Sequence, residues 1–335
     1  MASSTLVSSA LLALLADGQW HSGTALGCAL GLSRAAVWKQ VGTLRTLGLT
    51  VSAERRRGYR LDQRLDLLSA VAIRAGLAPD TEQALAELEV LQVTGSTNAC
   101  LTLRPAPPPG KIRAVLAEYQ TGGRGRRGRR WFSPFGHGVC LSLSWCFETA
   151  PRNLPALSLV AGLAVVSALA DRGVEGIRLK WPNDVVSVRG KVGGILVEVA
   201  GEPGGPLRVV VGIGLNVRPV PELAAALLKE GGSAPAAALD DPGAGSAVDR
   251  NALVASLLNA LHRNLVAFTD RGLEPFLADW NRYDDLAGRP VLVTTGAEML
   301  EGIARGIADD GSLLVIVNGR VVPVVAGDVT LRPPV

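Results

Sequence analysis

Apolar positions in the first sixty residues recur at helical spacing and then begin to alternate. Leu11, Leu12 and Leu15 mark a first helix, with Gly18 just past it. A second helix is predicted over about 23–30. Gly31-Leu32-Ser33 then forms a tight turn that leaves Ser33 placed to cap a third helix. On that helix Val37, Val41 and Leu44 follow an i, i+4, i+7 path and face inward, so Arg34, Ala35, Trp38, Lys39 and Gly42 share another face. Leu49-Thr50-Val51 and Tyr59-Arg60-Leu61 frame a hairpin whose tip is Glu54-Arg55-Arg56-Arg57-Gly58. A helix-turn-helix between Gly23 and Gly42 followed by a basic hairpin is a winged DNA-binding pattern. The bland alternative is a small helical packing module with a solvated charge run; the turn spacing and the basic wing favour the former.

Residues 65–90 read as helical and connecting. Beyond them short β-rich runs alternate with helices: strands over 114–118, 139–145, 177–180, 194–199 and 209–213, and a small-residue helix over 156–170. The stretch 227–248, rich in Ala, Gly and Pro, reads as a mobile loop before a long helix over about 250–269. After Tyr283 the texture changes to short strands over 291–294, 298–307, 313–317 and 320–325, punctuated by turns. Asn318-Gly319 is the strongest hairpin signal among them. The whole reads as an α+β chain of three parts: a winged helix-turn-helix over 1–64, a mixed central domain over 65–282, and a small all-β barrel over 283–335.

Composition sharpens this picture in three ways. Of 335 residues, 48% are hydrophobic and only 4% aromatic, so a large core must be filled by Ala, Val and Leu. Cys28, Cys100, Cys140 and Cys146 show no paired spacing, and with three histidines there is little from which to build a zinc site. Reduced, mostly buried thiols in a cytoplasmic protein are expected. The longest uncharged run, 154–170, is shorter than the roughly 20 residues a membrane helix needs, so no membrane role is expected. The net charge of +4 is unevenly placed: residues 1–64 carry eight Lys/Arg against Asp17, Glu54 and Asp62. The excess at one end suits a polyanion-binding module.

Four segments carry candidate chemistry. Gln120-Thr121-Gly122-Gly123-Arg124-Gly125-Arg126-Arg127-Gly128-Arg129-Arg130-Trp131 follows a predicted strand. Its glycines let backbone N–H groups approach a ligand, and its guanidiniums offer forked donors to phosphate or carboxylate oxygens. It has no Walker-type ending, and its flanking strands argue against a disordered nucleic-acid tract. Lys180-Trp181-Pro182-Asn183-Asp184 ends a strand; Pro182 extends Trp181, Asn183-Asp184 favour a turn, and Lys180 is aimed at a cleft. The third and fourth, residues 190–198 and Gly212-Ile213-Gly214-Leu215-Asn216, are weak signals alone. Together the four imply a site for an anionic ligand, with cations arriving from separate strands to stabilise a phosphoryl transition state. The residues alone indicate an adenylating or nucleotide-using enzyme joined to a DNA-binding module.

At these positions the sequence resembles the bifunctional biotin–protein ligase and biotin operon repressor family. The likeness rests on Ser96-Thr97-Asn98, Gln120 with GRGRRGR at 123–129, WFSPFG at 131–136, KWPND at 180–184, KVGGILVE at 191–198 and GIGLN at 212–216. The amino-terminal LGLSRAAVWKQVGTLRTLGL at 30–49 also agrees. GRGRRG together with KWPND is highly specific; the helix-turn-helix alone is not.

The resemblance implies a central fold like class II aminoacyl-tRNA synthetases and an SH3-like carboxy-terminal barrel. It implies that biotin and Mg-ATP react to biotinyl-5′-AMP, and that a lysine of the biotin carboxyl carrier protein of acetyl-CoA carboxylase takes the biotinyl group. Ser96, Thr97, Asn98 and Gln120 would line the biotin end, with Arg124, Gly125 and Arg126 in the loop that closes over it. Lys180 and Arg126 would be the catalytic cations, and Arg129, Trp131, Lys191 and Asn216 would lie on the ATP side. Arg34, Trp38, Lys39 and wing residues Arg55, Arg56 and Arg57 would meet operator DNA, with biotinyl-5′-AMP as corepressor of a ligand-dependent homodimer. Residues 231–236 depart from the pattern, lacking the tryptophan that packs near adenine in relatives. A biotin sensor without ligase activity, a lipoate-type acyl–protein ligase, and a ligase whose winged helix is only structural are the competing readings.

Overall fold

In the computed structural model, residues 9–201, 206–220, 236–240, 248–296 and 298–331 are described. The chain begins with α1 (Ser9–Leu15), α2 (Gly23–Leu30) and α3 (Arg34–Thr46), followed by a hairpin of β1 (Val51–Glu54) and β2 (Gly58–Leu61). Ser22 and Ser33 cap α2 and α3 by accepting from the backbone N–H of Ala25 and Ala36. Leu11, Leu15, Val37, Val41 and Leu44 are fully buried between the helices, as their spacing requires. His21 exchanges two backbone hydrogen bonds of 2.9 Å with Tyr59, so the segment before α2 lines the wing as a third, one-residue strand.

The region from 65 to 90 is only partly as expected. It holds α4 (Ala70–Ala75) and α5 (Pro79–Ala84), but a ten-residue strand, β3 (Leu85–Thr94), starts at once. Glu87-Leu88-Glu89-Val90 already alternates with period two, a pattern that the flanking helices obscured.

After β3 come α6 (Thr97–Thr102), β4 (Ile112–Gln120), β5 (Gly138–Phe147) and α7 (Leu157–Ala170). The short hairpin of β6 (Arg178–Lys180) and β7 (Asp184–Ser187) leads into β8 (Gly190–Gly201) and β9 (Leu207–Asn216). The sheet order is β3-β4-β5-β9-β8-β7-β6; β3 and β4 run parallel and every other pair antiparallel. Asp184 is not turn backbone as expected but opens β7, pairing with Lys180. The Gly-rich run from Gly190 likewise belongs to its strand. α7 is buried on nearly all sides because its Ala, Gly and Val residues let it lie close between the sheet and α8 (Arg250–Arg271).

After α9 (Leu277–Tyr283) comes an antiparallel sheet of β10 (Pro290–Thr295), β11 (Glu298–Ile307), β12 (Leu313–Val317), β13 (Arg320–Val324) and β14 (Asp328–Leu331). Its order is β13-β12-β11-β10-β14. Asn318 and Gly319 both have positive φ, 49° and 79°, which is the tight hairpin their sequence signals. β14 was not anticipated, and it carries a residue of the cleft.

A buried ion pair ties the modules together. Arg250, with no exposed surface, places Nη1 2.8 Å from Glu118 Oε2 and 2.9 Å from the Gly138 carbonyl, and Nη2 donates to the Asp66 carbonyl. Glu118 Oε1 accepts from the Leu68 N–H, and Asn251 bridges the Leu67 carbonyl and the Ser69 N–H. The segment leaving the wing is therefore fastened to β4 and to the start of α8.

All four cysteines are free, but they are less buried than expected: Cys140 is enclosed, Cys100 and Cys146 are half-buried, and Cys28 is exposed. Among the described residues no helix is long and apolar enough to cross a membrane. The expected loop over 227–248, with its missing aromatic, lies outside the described residues except at 236–240 and 248.

Candidate functional site

A cleft of about 480 Å³ lies against the middle strands of the central sheet. Its walls are the start of α6, the arginine–glycine turn, the β6–β7 hairpin, β8 and β9, and residues 328–330 of β14. Every cleft residue singled out from the sequence lines it. Ser96, Thr97, Asn98 and Gln120 form one group, Arg124, Gly125, Arg126 and Lys180 a second, and Arg129, Trp131, Lys191 and Asn216 a third.

The first group is a hydrogen-bonded cluster. Ser96 caps α6, which fixes the following residues at the foot of β4. Gln120 Oε1 accepts from the Thr97 N–H at 2.8 Å and lies 3.2 Å from the Thr97 hydroxyl. Ser142 Oγ lies 2.7 Å from Thr97 Oγ1 and 2.5 Å from Asn98 Oδ1. Asn98 spends both amide hydrogens inside the protein, on Glu198 Oε2 at 2.7 Å and on the Leu196 carbonyl at 3.3 Å. With its oxygen turned to Thr97, Gln120 keeps an amide group that can donate.

Charge pairing sorts the cations. Arg127 and Arg129 both reach Asp328, at 3.0 and 2.7 Å, and Arg124 lies 3.4 Å from Glu198. Lys191 takes Asp184 at 2.5 Å. Arg126 finds only neutral oxygens, Asn183 Oδ1 at 3.1 Å and the Gly327 carbonyl at 3.5 Å. Among the described residues neither Arg126 nor Lys180 has a carboxylate in salt-bridge range. Burial lowers the pKa of both groups, because removal from water disfavours their charged forms; for Lys180 the nearby Asp184 partly opposes this. An anion entering the cleft would meet these two desolvated charges.

The remaining wall is shaped by close approach. A Cβ on Gly212 would collide with the Asn98 amide, and one on Gly214 with the Trp131 indole. Trp131 Nε1 is buried without a hydrogen-bond partner among the described residues. Asn216 Nδ2 donates to the Ala237 carbonyl at 3.1 Å, and the Ala237 N–H donates to the Lys191 carbonyl at 2.9 Å.

The β6–β7 hairpin is held rigidly. The peptide bond between Trp181 and Pro182 is cis, Trp181 Nε1 donates to the Gly311 carbonyl at 3.0 Å, and the Pro182 carbonyl accepts from Ser158. Glu198, Asp184 and Asp328 were missed as site residues. Glu198 and Asp184 lie within segments that stood out, whereas nothing local marks Asp328, about two hundred residues from its arginines.

The winged module presents a second surface. Arg34, Arg55 and Arg56 line a groove between the start of α2, the start of α3 and the wing. Trp38 is 66% exposed, and Lys39 is exposed beside it. Arg57 and Arg60 are engaged instead: their guanidiniums lie 4.3 and 5.0 Å from the Trp20 ring centroid, and Arg57 also pairs with Glu54 at 2.9 Å.

Comparison with known proteins follows the same division. Residues 90–216 match the biotin/lipoate A/B protein ligase family, residues 8–60 an HTH domain, and residues 287–332 the biotin protein ligase C terminal domain. The chain is 39% identical over 333 residues, 98% of each protein, to the bifunctional ligase/repressor BirA of Salmonella typhimurium. It is 33% identical over 317 residues to that of Bacillus subtilis, covering 94% of this chain and 95% of the relative. The biotin protein ligase of Aquifex aeolicus, solved in complex with biotin and ATP, superposes with a TM-score of 0.59 at 27% identity. That match covers 75% of this chain and all of the other.

Proposed function

The chain belongs to the family of bifunctional biotin ligase/repressors, and from that membership we propose how its cleft and its basic wing divide the work. It is a ligase that uses biotin and ATP, and a DNA-binding repressor. In the first step a biotin carboxylate oxygen attacks the α-phosphorus of ATP; the bond to the β-phosphate oxygen breaks and pyrophosphate leaves. In the second, a carrier lysine amine attacks the acyl carbon of biotinyl-5′-AMP, loses a proton, and AMP departs.

The obstacle to the first step is that two anions must meet. Unit charges 4 Å apart repel by about 4 kcal/mol at an effective dielectric near 20. Lys180 and Arg126, unpaired and largely removed from water, are the groups suited to offset that repulsion, and this is the observation that carries the reading. Rigid mounting of Lys180 on the hairpin makes its charge preorganised rather than recruited. Ser96, Thr97, Asn98 and Gln120 form the biotin end: Gln120 donates to the vitamin's ureido oxygen while Thr97 and Asn98 hold the pocket's shape. Gly125 gives the loop room to close, and Arg129, Trp131, Lys191 and Asn216 form the nucleotide side.

Magnesium usually takes one or two protein carboxylates besides phosphate oxygens. Asp184 and Asp328 are the carboxylates of the cleft wall, and both are spent on cations. Among the described residues no cluster of three His, Cys, Asp or Glu could hold a metal. No step here is routed through a protein-bound ion; magnesium is assigned to the nucleotide.

The same reading takes the parts as a winged module over 1–64, a synthetase-like centre over 65–282 and an SH3-like barrel over 283–335. It takes the acceptor to be a biotin carboxyl carrier protein in the cytoplasm. Biotinyl-5′-AMP favours a dimer that presents two winged modules to operator DNA, where Arg34, Trp38, Lys39 and the wing make contact. The test is to supply biotin, ATP and a carrier domain, and to follow pyrophosphate and labelled lysine. Absence of both products would remove the ligase reading. Binding to promoter DNA that biotin plus ATP does not strengthen would remove the corepressor reading.

A further inference from the structure

Glu198 is a carboxylate set beside a site built for anions, a placement that opposes ligand binding unless it serves something else. It lies on β8, paired in register with Val210, and is half-buried. Its two oxygens serve two segments that are distant in sequence. Oε2 accepts the Asn98 amide at 2.7 Å, at the start of α6, and Oε1 lies 3.4 Å from Arg124 Nη2, on the arginine–glycine turn. The pair with Arg124 is too exposed to matter much as a source of stability, since surface ion pairs contribute roughly 0–1 kcal/mol. The sharing is what distinguishes it. One acceptor-only group fixes which way the Asn98 amide faces, and so turns Asn98 Oδ1 toward Ser142 Oγ at 2.5 Å and the Thr97–Gln120 pair beyond. The same group anchors the turn that carries Arg126.

We propose that Glu198 is a positioning residue for adenylation: by holding Asn98 and Arg124 on one carboxylate, it couples the shape of the vitamin pocket to the placement of the arginine–glycine turn. The inference rests on the ligase reading and specifies how that site is kept in register. Glu198→Gln keeps an oxygen for the Asn98 amide but replaces the anion facing Arg124 with a donor. Glu198→Asp keeps the charge but is one methylene short of reaching both partners. Glu198→Ala loses both.

The experiment uses the full chain, measuring biotin affinity by calorimetry and pyrophosphate release and escape of biotinyl-5′-AMP kinetically. For Glu198→Gln, biotin affinity stays within about twofold, while adenylation slows and the intermediate escapes faster, each by about two- to fivefold, the size of one exposed ion pair. Glu198→Ala adds a loss of biotin affinity of about tenfold, one ordinary hydrogen bond. Glu198→Asp restores at most one of the two effects. Glu198→Gln combined with Arg124→Gln is no worse than Arg124→Gln alone, because both break one link. Wild-type behaviour of Glu198→Gln and Glu198→Ala, additivity in the double variant, or identical losses that follow only a lowered melting temperature would each overturn the proposal. A wild-type chain that made no pyrophosphate would defeat the ligase reading instead, and the calorimetric series on biotin would still decide whether Glu198 holds Asn98 in the vitamin pocket.

Discussion

Lys180 and Asp184 face each other as register partners at the mouth of the β6–β7 hairpin, yet the Asp184 carboxylate turns away and pairs with Lys191. Among the described residues Lys180 is thereby left buried with no carboxylate in salt-bridge range. Replacing it by Ala or Met should lower the rate of biotinyl-5′-AMP formation by at least about 10²–10³-fold, the usual cost of removing one preorganised group that stabilises transition-state charge. Circular dichroism of the Met variant should be unchanged, since Met is close to lysine in length and suits a buried position. Near-normal pyrophosphate release from the Met variant would refute the role.

The same burial has a pH consequence. Removal from water pushes the Lys180 pKa below the ordinary lysine range, Asp184 pulling it partly back and Lys191 pushing it further down. Between that lowered value and the value in the unfolded chain, the unfolded state binds more protons, so this group makes stability rise with pH there. Ligand binding runs the other way: an arriving carboxylate restores the proton. Biotin affinity should therefore fall as pH rises through the lowered Lys180 pKa, with proton uptake on binding. Calorimetry in two buffers of different ionisation enthalpy reads this directly, and the Lys180→Met variant should show neither effect.

On the wing, the four arginines should not be equivalent. Arg55 and Arg56 are exposed and have no ion pair among the described residues, and replacing either with Gln should reduce the slope of log K against log salt for operator binding by roughly one. Arg57 and Arg60 both lie over the Trp20 ring, so Arg60→Gln should leave that slope nearly unchanged. Trp20→Ala should weaken binding by releasing the wing rather than by removing a contact. Equal slopes for all three arginine variants would show that contact with Trp20 does not partition them.

Arg250→Ala should destabilise the central domain by about 3–5 kcal/mol, because it leaves Glu118 buried without its counter-charge. Denaturant unfolding measures this. Since Arg250 also holds the Asp66 carbonyl, protease sensitivity should appear first in the segment after the wing.

Much of this was legible along the chain. Val37, Val41 and Leu44 gave the inward face of α3, Ser33 its cap, and Asn318-Gly319 a hairpin. The arginine–glycine turn and Lys180 stood out from the residues themselves, whereas Ser96, Thr97 and Asn98 were reached only through the family resemblance. Relations between distant segments were not legible. That Asp328 would engage Arg127 and Arg129, or Glu118 meet Arg250, depends on side chains brought together by sheet order, and local periodicity carries no trace of that. β3 was lost for a different reason: an edge strand with alternating Glu resembles the solvated face of a helix when helices precede it.

Asp328 also bears on how such chains can be rearranged. One carboxylate from the terminal sheet meets two arginines of the turn at the cleft, so that sheet forms part of the cleft's wall. A chimera that grafted another protein's tail here would lose both ion pairs of that turn unless a carboxylate stood at the position of Asp328.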